Sequence, residues 1–187
     1  MNAVVIVIDM LNTYEHEDAE QLRESVHGMV PNLSSLIAEA RERDIPVAYV
    51  NDNYQDWAAE RPELVARALA GAAPELVEPI VPPEDAPFVV KARHSIFYQT
   101  QVEYMLRQLG AERVVLTGQV TEQCILYSAL DAYVRHFEVV VPPDAVAHII
   151  PELAQAALQM MERNMRANLI ESARVPDALA GSLAGRG

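Results

Sequence analysis

Ala3-Val4-Val5-Ile6-Val7-Ile8-Asp9 is the stretch that decides the fold. Six apolar residues follow one another, most of them β-branched, with no polar residue alternating between them. That pattern predicts a strand buried on both faces, as strands are in parallel sheets covered by helices. The run ends on a carboxylate. Outward from it, further strands are predicted at Pro46–Val50, Phe88–Lys91, Arg113–Thr117 and Phe137–Val141, with a short sixth at Leu169–Ile170. Helical spacing separates them. Val30–Arg43 carries Leu33, Leu36, Ile37 and Ala40 at helical intervals, with Pro31 near its start. Arg61–Ala70 opens on Pro62, Thr100–Leu109 stops at Gly110, Thr121–Val134 takes Thr121 as its N-cap, and Pro151–Asn164 comes after them. Strand–helix alternation of this kind predicts an α/β fold, a parallel sheet with helices on both faces. The tail from about Ala178 is small and Gly-rich, and is expected to fray or to lie on a partner.

The 187 residues suffice for one core, so a single domain over residues 1–187 is expected. A formal charge of −13 argues against nucleic acid, which requires clustered Lys and Arg, and against anionic membranes. The apolar run at the N-terminus lacks a basic flank and a cleavage site and is too short to span a bilayer. The single cysteine, Cys124, allows no intrachain disulfide, so the expected compartment is the cytoplasm.

In parallel sheets ligands bind outside the carboxyl ends of the strands. Three reactive side chains are predicted there: Asp9 after the first strand, Lys91 closing the third, and Cys124 at the loop-to-helix junction after the fourth. Each has a bland reading of its own. A lone cysteine is ordinarily a small buried hydrophobe, an Asp at a strand end a turn residue, and a Lys there a solvated charge. Their joint placement points to nucleophilic catalysis. Cys124 would attack, Asp9 would take its proton, and the helix N-terminus and Lys91 are expected to lower the thiol pKa. Glu122, one turn away, would oppose that unless it points to solvent.

These residues lie in recognisable motifs: Val-Ile-Asp-Met-Leu-Asn at 7–12, Val-Ala-Tyr-Val-Asn-Asp-Asn at 47–53, Val-Lys-Ala-Arg-His-Ser-Ile-Phe at 90–97 and Leu-Thr-Gly-Gln-Val-Thr-Glu-Gln-Cys-Ile at 116–125, with Ala-Leu-Asp-Ala-Tyr at 129–133. In content and order they resemble the isochorismatase-like cysteine hydrolases, which include nicotinamidases and related small-amide hydrolases. The resemblance runs from about Val4 to Ala147. It implies a six-stranded, mostly parallel, Rossmann-like fold of three layers, with Asp9, Lys91 and Cys124 as the triad. It also implies a cis peptide between Gln119 and Val120, and an oxyanion hole made by the N–H groups of Val120 and Cys124. Such donors are worth roughly 3–4 kcal/mol to a transition state. Two departures stand out. The family commonly has Thr-Asp ahead of the cysteine, where this chain has Thr121-Glu122. Nicotinamidases hold a divalent metal with an Asp followed by nearby histidines, whereas Asp52 is followed by Asn53, Tyr54 and Gln55. No catalytic metal and no cofactor are therefore expected.

Asn12, Asn51, Asp52, Trp57 and Thr121 are candidate pocket residues. Trp57 offers a flat wall or folds onto the core. Asn12 and Tyr14 are candidates to orient Asp9 or, equally, to hold a turn. His94 could contact substrate or stand behind the site, while Phe97 and Tyr98 are expected to pack beneath it. Asp144 reads as a turn or cap residue, and Met160, Met161 and Met165 as core or oligomer seam. The favoured reading is a metal-independent cysteine amidase for a small amide, ureide or N-carbamoyl compound. The others are an isochorismate-type vinyl-ether hydrolase, which needs no thiol, and a non-catalytic binding or scaffold domain. Family likeness suggests a dimer or tetramer.

Overall fold

The computed structural model describes residues 2–180. Its elements run β1 (Ala3–Ile8), α1 (Ala19–Glu42), β2 (Val47–Asp52), α2 (Arg61–Leu69), β3 (Phe88–Lys91), α3 (Val102–Gln108), β4 (Arg113–Gln119), α4 (Leu126–Val134), β5 (Glu138–Val141), β6 (Val146–Ala147), α5 (Pro151–Met165), β7 (Asn168–Leu169) and α6 (Val175–Ala180). The sheet order is β3-β2-β1-β4-β5-β7, with β6 added against the end of β4. All these pairings are parallel.

β1 shows why an unbroken apolar run is needed. Ala3, Val5 and Val7 pack into one core layer with Leu22, Leu33 and Leu36 of α1. Val4, Ile6 and Ile8 pack into the other with Leu106 of α3, Ala129 of α4 and Met161 of α5. The strand's period of two sends alternate side chains to opposite faces, and both faces are dry. This is the expected three-layer α/β arrangement. Among the described residues no helix is long and apolar enough to cross a membrane.

Three expectations are corrected. The first helix begins at Ala19 rather than Val30, so Pro31 lies inside it. The buried stripe Leu22, Val26, Met29, Val30, Leu33 runs straight through, and Pro31 sits on the exposed face, where a break in the ladder disturbs no packing. The sheet has seven strands rather than six, because two-residue β6 pairs with Gly118 and Gln119. A strand that short carries no readable period. The last strand is Asn168–Leu169, one residue earlier than expected. Of the tail, Ala178–Ala180 belong to α6, with Leu179 buried. Residues 181–187 lie outside the described residues.

The order places β1 between β2 and β4, where successive crossovers depart to opposite sides. That is the crevice at which ligands bind in open parallel sheets. Gly118 makes it close: its φ is +100°, and a Cβ there would lie 2.2 Å from the Ile8 carbonyl oxygen. Any other residue would push the end of β4 away from Asp9.

Candidate active site

At the carboxyl edge the three reactive side chains meet. Lys91 Nζ lies 2.8 Å from Asp9 Oδ2 and 3.7 Å from Cys124 Sγ. All three residues are buried, Lys91 most deeply. Each is held by the fold beneath it. Asp9 leaves β1 at φ +56°, an unusual conformation for an aspartate, and this turns its carboxylate inward. Its Oδ1 accepts the Asp52 N–H at 2.8 Å, and its backbone carbonyl accepts Gln119 Nε2 at 2.6 Å. Gln119 in turn accepts the Tyr14 hydroxyl. Lys91 is delivered by the last rung of the β2–β3 ladder, opposite Asp52.

Cys124 sits in a π-wide turn, Thr121–Ile125, that precedes α4. The Val120 carbonyl accepts both the Gln123 and the Ile125 N–H, each at 3.1 Å. The peptide Gln119–Val120 is cis, and the Val120 N–H faces the sulfur. Thr121 is not the N-cap expected of it. Its hydroxyl donates to the Ala147 carbonyl at 2.9 Å and ties the turn to β6. Glu122 points neither at the thiol nor into solvent: its Oε1 accepts the N–H groups of Ile149 and Ile150 at the start of α5.

The electrostatics correct a further expectation. Burial pushes the Cys124 thiol up, and the Asp9 charge pushes it further. Lys91 and the Val120 N–H pull the other way without prevailing, so the resting cysteine is a thiol rather than a preformed thiolate. Burial likewise raises Asp9 against the pull of Lys91. For Lys91, burial works against the charge, but Asp9, the sulfur and Asp52 outweigh it and hold the ammonium above its ordinary range. A charged lysine thus stands beside a basic carboxylate and a neutral thiol. Such an arrangement is chemically able to pass a proton from a thiol to a carboxylate, with an ammonium balancing the charge.

The candidate pocket residues divide. Asp52 joins the cluster, its Oδ2 3.3 Å from Lys91 Nζ. Asn51 bonds mostly to backbone: its Oδ1 accepts the Leu11 N–H and its Nδ2 donates to the Leu11 and Asp52 carbonyls, and the Tyr54 hydroxyl meets the same side chain. Asn12 Oδ1 accepts the Tyr14 N–H, a turn role rather than one of orienting Asp9. Trp57 is 84% exposed and neither walls the site nor folds onto the core. It rides on a turn closed by the Ala59 N–H on the Asp56 carbonyl at 3.2 Å, which carries the indole outward. Phe97 is buried but stacks on Phe137, just ahead of β5 toward the amino edge rather than beneath the site, and Tyr98 is exposed. Asp144 caps the turn at Ser172 through both carboxylate oxygens. Met161 and Met165 fill core, with Met160 at the surface. His94 is exposed, and its Nδ1 lies 3.7 Å from Cys124 Sγ.

Two contributors had weak signals in the sequence. Gln119 holds the Asp9 backbone from inside a strand, where a buried amide has no pattern of its own. Tyr54 belongs to a left-handed pair with Gln55, at φ +48° and +65°. The turn is set by Asp52 Oδ1 and Asn53 Oδ1, which accept the N–H groups two residues on, so the Asp-Asn pair was the available clue. The hydroxyl end of Tyr54 lies among Asn51, Asp9 and Asp52. Burial of that end, then the Asp9 charge, pushes the phenol well above its ordinary value.

The donor set does not fit a divalent metal of the nicotinamidase kind. The Asp52 carboxylate receives Lys91 and the Tyr54 N–H, with no histidine beside it. Among the described residues no group of three or more His, Cys, Asp and Glu could hold a metal ion.

A parallel α/β sheet with this edge is the framework of a hydrolase. Residues 3–174 match the isochorismatase domain, and the chain belongs to the isochorismatase family. It is 30% identical over 165 residues to the uncharacterized isochorismatase family protein YaaI of Bacillus subtilis (strain 168), covering 88% of this chain and 91% of that one. It is 26% identical over 183 residues to the ureidoacrylate amidohydrolase RutB of Enterobacter sp. (strain 638), covering 83% and 80%. Among solved structures, the N-carbamoylsarcosine amidase of Thermoplasma acidophilum superposes with a TM-score of 0.71 at 26% identity, covering 92% and 97%.

Proposed function

We propose that this chain is a cysteine amidohydrolase for a small amide, ureide or N-carbamoyl compound, with Cys124 as nucleophile, Asp9 as proton carrier and Lys91 as the charge that couples them. The single observation that carries this is the ammonium lying 2.8 Å from the carboxylate and 3.7 Å from the sulfur in one buried cluster. The sulfur attacks the substrate carbonyl as its proton passes to Asp9. The N–H groups of Val120 and Cys124 receive the developing oxyanion. Asp9 then protonates the departing amine, leaving a thioester that water cleaves. The likeness to two amidohydrolases whose substrates carry a carbamoyl group supports ureides ahead of other amides. Vinyl-ether hydrolysis would leave the thiol idle.

The test is a panel of small amides, ureides and N-carbamoyl acids assayed with wild type and Cys124→Ala. The proposal expects turnover of at least one member, abolished in the variant. Turnover that survives the loss of the sulfur would end it.

A further inference from the structure

The two helical layers meet solvent differently. On α1 the outward residues include Glu20, Glu24, His27, Ser35 and Glu42, a polar face suited to water. The other layer is apolar outside as well as inside. Tyr127, Leu130 and Val134 recur along α4 at intervals of three and four, and all three are exposed. Leu153 and Met160 make a second exposed stripe on α5, which packs beside α4, and Tyr104 of α3 stands 70% exposed. None of these side chains is needed by the core beneath, which takes Ala129 and Ala132 from α4 and Ala157 and Met161 from α5. Single exposed apolar residues are ordinary, but parallel stripes on adjoining helices are not.

The same face carries almost no charge. From Leu153 to Met161, α5 has no ionisable side chain. Along α3 and α4 the charges cancel within one set: Arg135 meets Glu103 at 2.9 Å and also Asp131, and Arg107 meets Glu103 at 3.6 Å. The whole chain, by contrast, has a formal charge of −13. Two copies therefore repel over most of their surfaces, and they can approach closely only where that charge is missing. The extent is also sufficient. The six exposed side chains with the helix surface between them offer roughly 600–800 Å², against about 800 Å² from each partner in a stable interface. Tyrosine and methionine are residues that such interfaces favour.

We propose that the α4–α5 face, with Tyr104 at its margin, seats the same face of a second copy of this chain in a two-fold dimer. One neutral apolar patch then serves both partners, as a two-fold contact requires, and the acidic surfaces stay in solvent. The seam begins beside the site. Tyr127 heads the α4 stripe and leans on the His94 ring, centroids 5.4 Å apart, and His94 Nδ1 lies 3.7 Å from Cys124 Sγ. The dimer does not depend on the cysteine chemistry proposed above and stands or falls without it.

Sedimentation equilibrium of the full chain, from about 0.5 to 50 μM, is the test. Wild type should reach twice the chain mass within that range and hold it in about 1 M NaCl, because a neutral seam is not weakened by salt. Leu130→Glu should raise the dissociation constant by about 10²-fold or more, since each copy would bring a carboxylate into an apolar seam. Leu153→Glu on the second helix should act in the same direction. Ala38→Glu, an added charge on the exposed side of α1, should leave the dimer intact. All three positions lie outside the core, so far-UV circular dichroism should match wild type. A loss of dimer in either stripe variant, with Ala38→Glu unaffected, is the expected result. Wild type sedimenting as a single chain at every concentration overturns the proposal, and flotation of that monomer with phosphatidylcholine vesicles would assign the face to lipid instead. A dissociation constant unchanged in both stripe variants, or raised equally in all three, also overturns it.

Discussion

Two cation–carboxylate pairs, each with a buried cation, stand at opposite edges of the same sheet. At the carboxyl edge Lys91 Nζ meets Asp9 Oδ2 at 2.8 Å; at the amino edge Arg113 Nη2 meets Glu138 Oε2, also at 2.8 Å. Both cationic side chains are fully removed from solvent. The resemblance ends there. Arg113 and Glu138 face each other across the first rung of β4 and β5, and Asn168 of β7 donates to the other Glu138 oxygen. That pair stitches three strands. The Lys91–Asp9 pair has a sulfur beside it, an aspartate in a left-handed turn under it, and a histidine over it. A buried ion pair is by itself weak evidence of anything. The two edges differ because one pair ties strands together while the other has a sulfur within reach. Concavity does not separate them either. Clefts of about 260 and 350 Å³ lie at the amino edge around Asp44, Ile45 and Pro46, far from any nucleophile.

The contrast can be broken by mutation. The largest effect should come from the sulfur: Cys124→Ala should lower turnover of any accepted amide by about 10⁴-fold or more while folding normally. Equal activity in the two proteins, by product assay, would erase the distinction. Next, Asp9→Asn should cut kcat by about 10²–10⁴-fold. Arg113→Met, its counterpart at the amino edge, should leave kcat per folded molecule unchanged and lower the unfolding free energy by about 1–3 kcal/mol, because the Glu138 carboxylate, 30% exposed, loses its charge-assisted hydrogen bond. Urea titration and kinetics on the same preparations measure both. If Arg113→Met impaired kcat as Asp9→Asn does, the division between a working and a structural pair would fail.

A pH series sharpens the same contrast more gently. The Cys124 thiol is raised above its ordinary 9.0 in the folded protein, so above that pH the unfolded chain ionises while the folded one keeps its proton. The unfolded state then binds fewer protons, and stability must fall as pH rises, by roughly 1.4 kcal/mol per pH unit for one such group. Cys124→Ala should show a shallower alkaline loss, seen in melting curves from about pH 8 to 10. Parallel curves would mean that the thiol is not raised. The smallest effect is expected from Tyr54→Phe: a several-fold rise in KM with kcat nearly unchanged, equivalent to one hydrogen bond of about 1 kcal/mol to substrate. An unchanged KM would place the hydroxyl outside the substrate's reach.

Much of this edge is legible in the residues themselves. Ala3–Ile8, Phe88–Lys91 and Arg113–Thr117 announce buried strands through their β-branched runs, and the side chains at or just beyond their carboxyl ends must share one rim. The reactive trio is therefore readable from periodicity, and the motifs at 7–12, 90–97 and 116–125 agree with it. The features that escape are those that depend on closely packed neighbours. The sign of the thiol shift could not be read, because burial is a property of the assembled layers and outweighs a lysine that the sequence does display. Thr121 reads as an N-cap because Ser and Thr usually cap α-helices, yet here the turn is π-wide and the hydroxyl goes to Ala147. Pro31 reads as a helix start because prolines favour first turns, yet the apolar stripe from Leu22 continues past it. Trp57 and Tyr54 reverse the expectation that the larger aromatic lines the site: the indole is 84% exposed, while the phenol, 43% exposed on a left-handed pair that only its Asp-Asn lead hints at, carries its hydroxyl end toward Asp9 and Asp52.

The central claim, a sulfur driven by Asp9 across Lys91, is tested most directly by trapping the acyl group. Wild type, Asp9→Asn and Cys124→Ala are each mixed with p-nitrophenyl acetate, quenched in acid within the first turnover and mapped by peptide mass. One acetyl on the peptide containing Cys124 is predicted in wild type, formed far more slowly in Asp9→Asn and absent from Cys124→Ala. An acetyl on another residue alone, or Asp9→Asn acylating as fast as wild type, would contradict it.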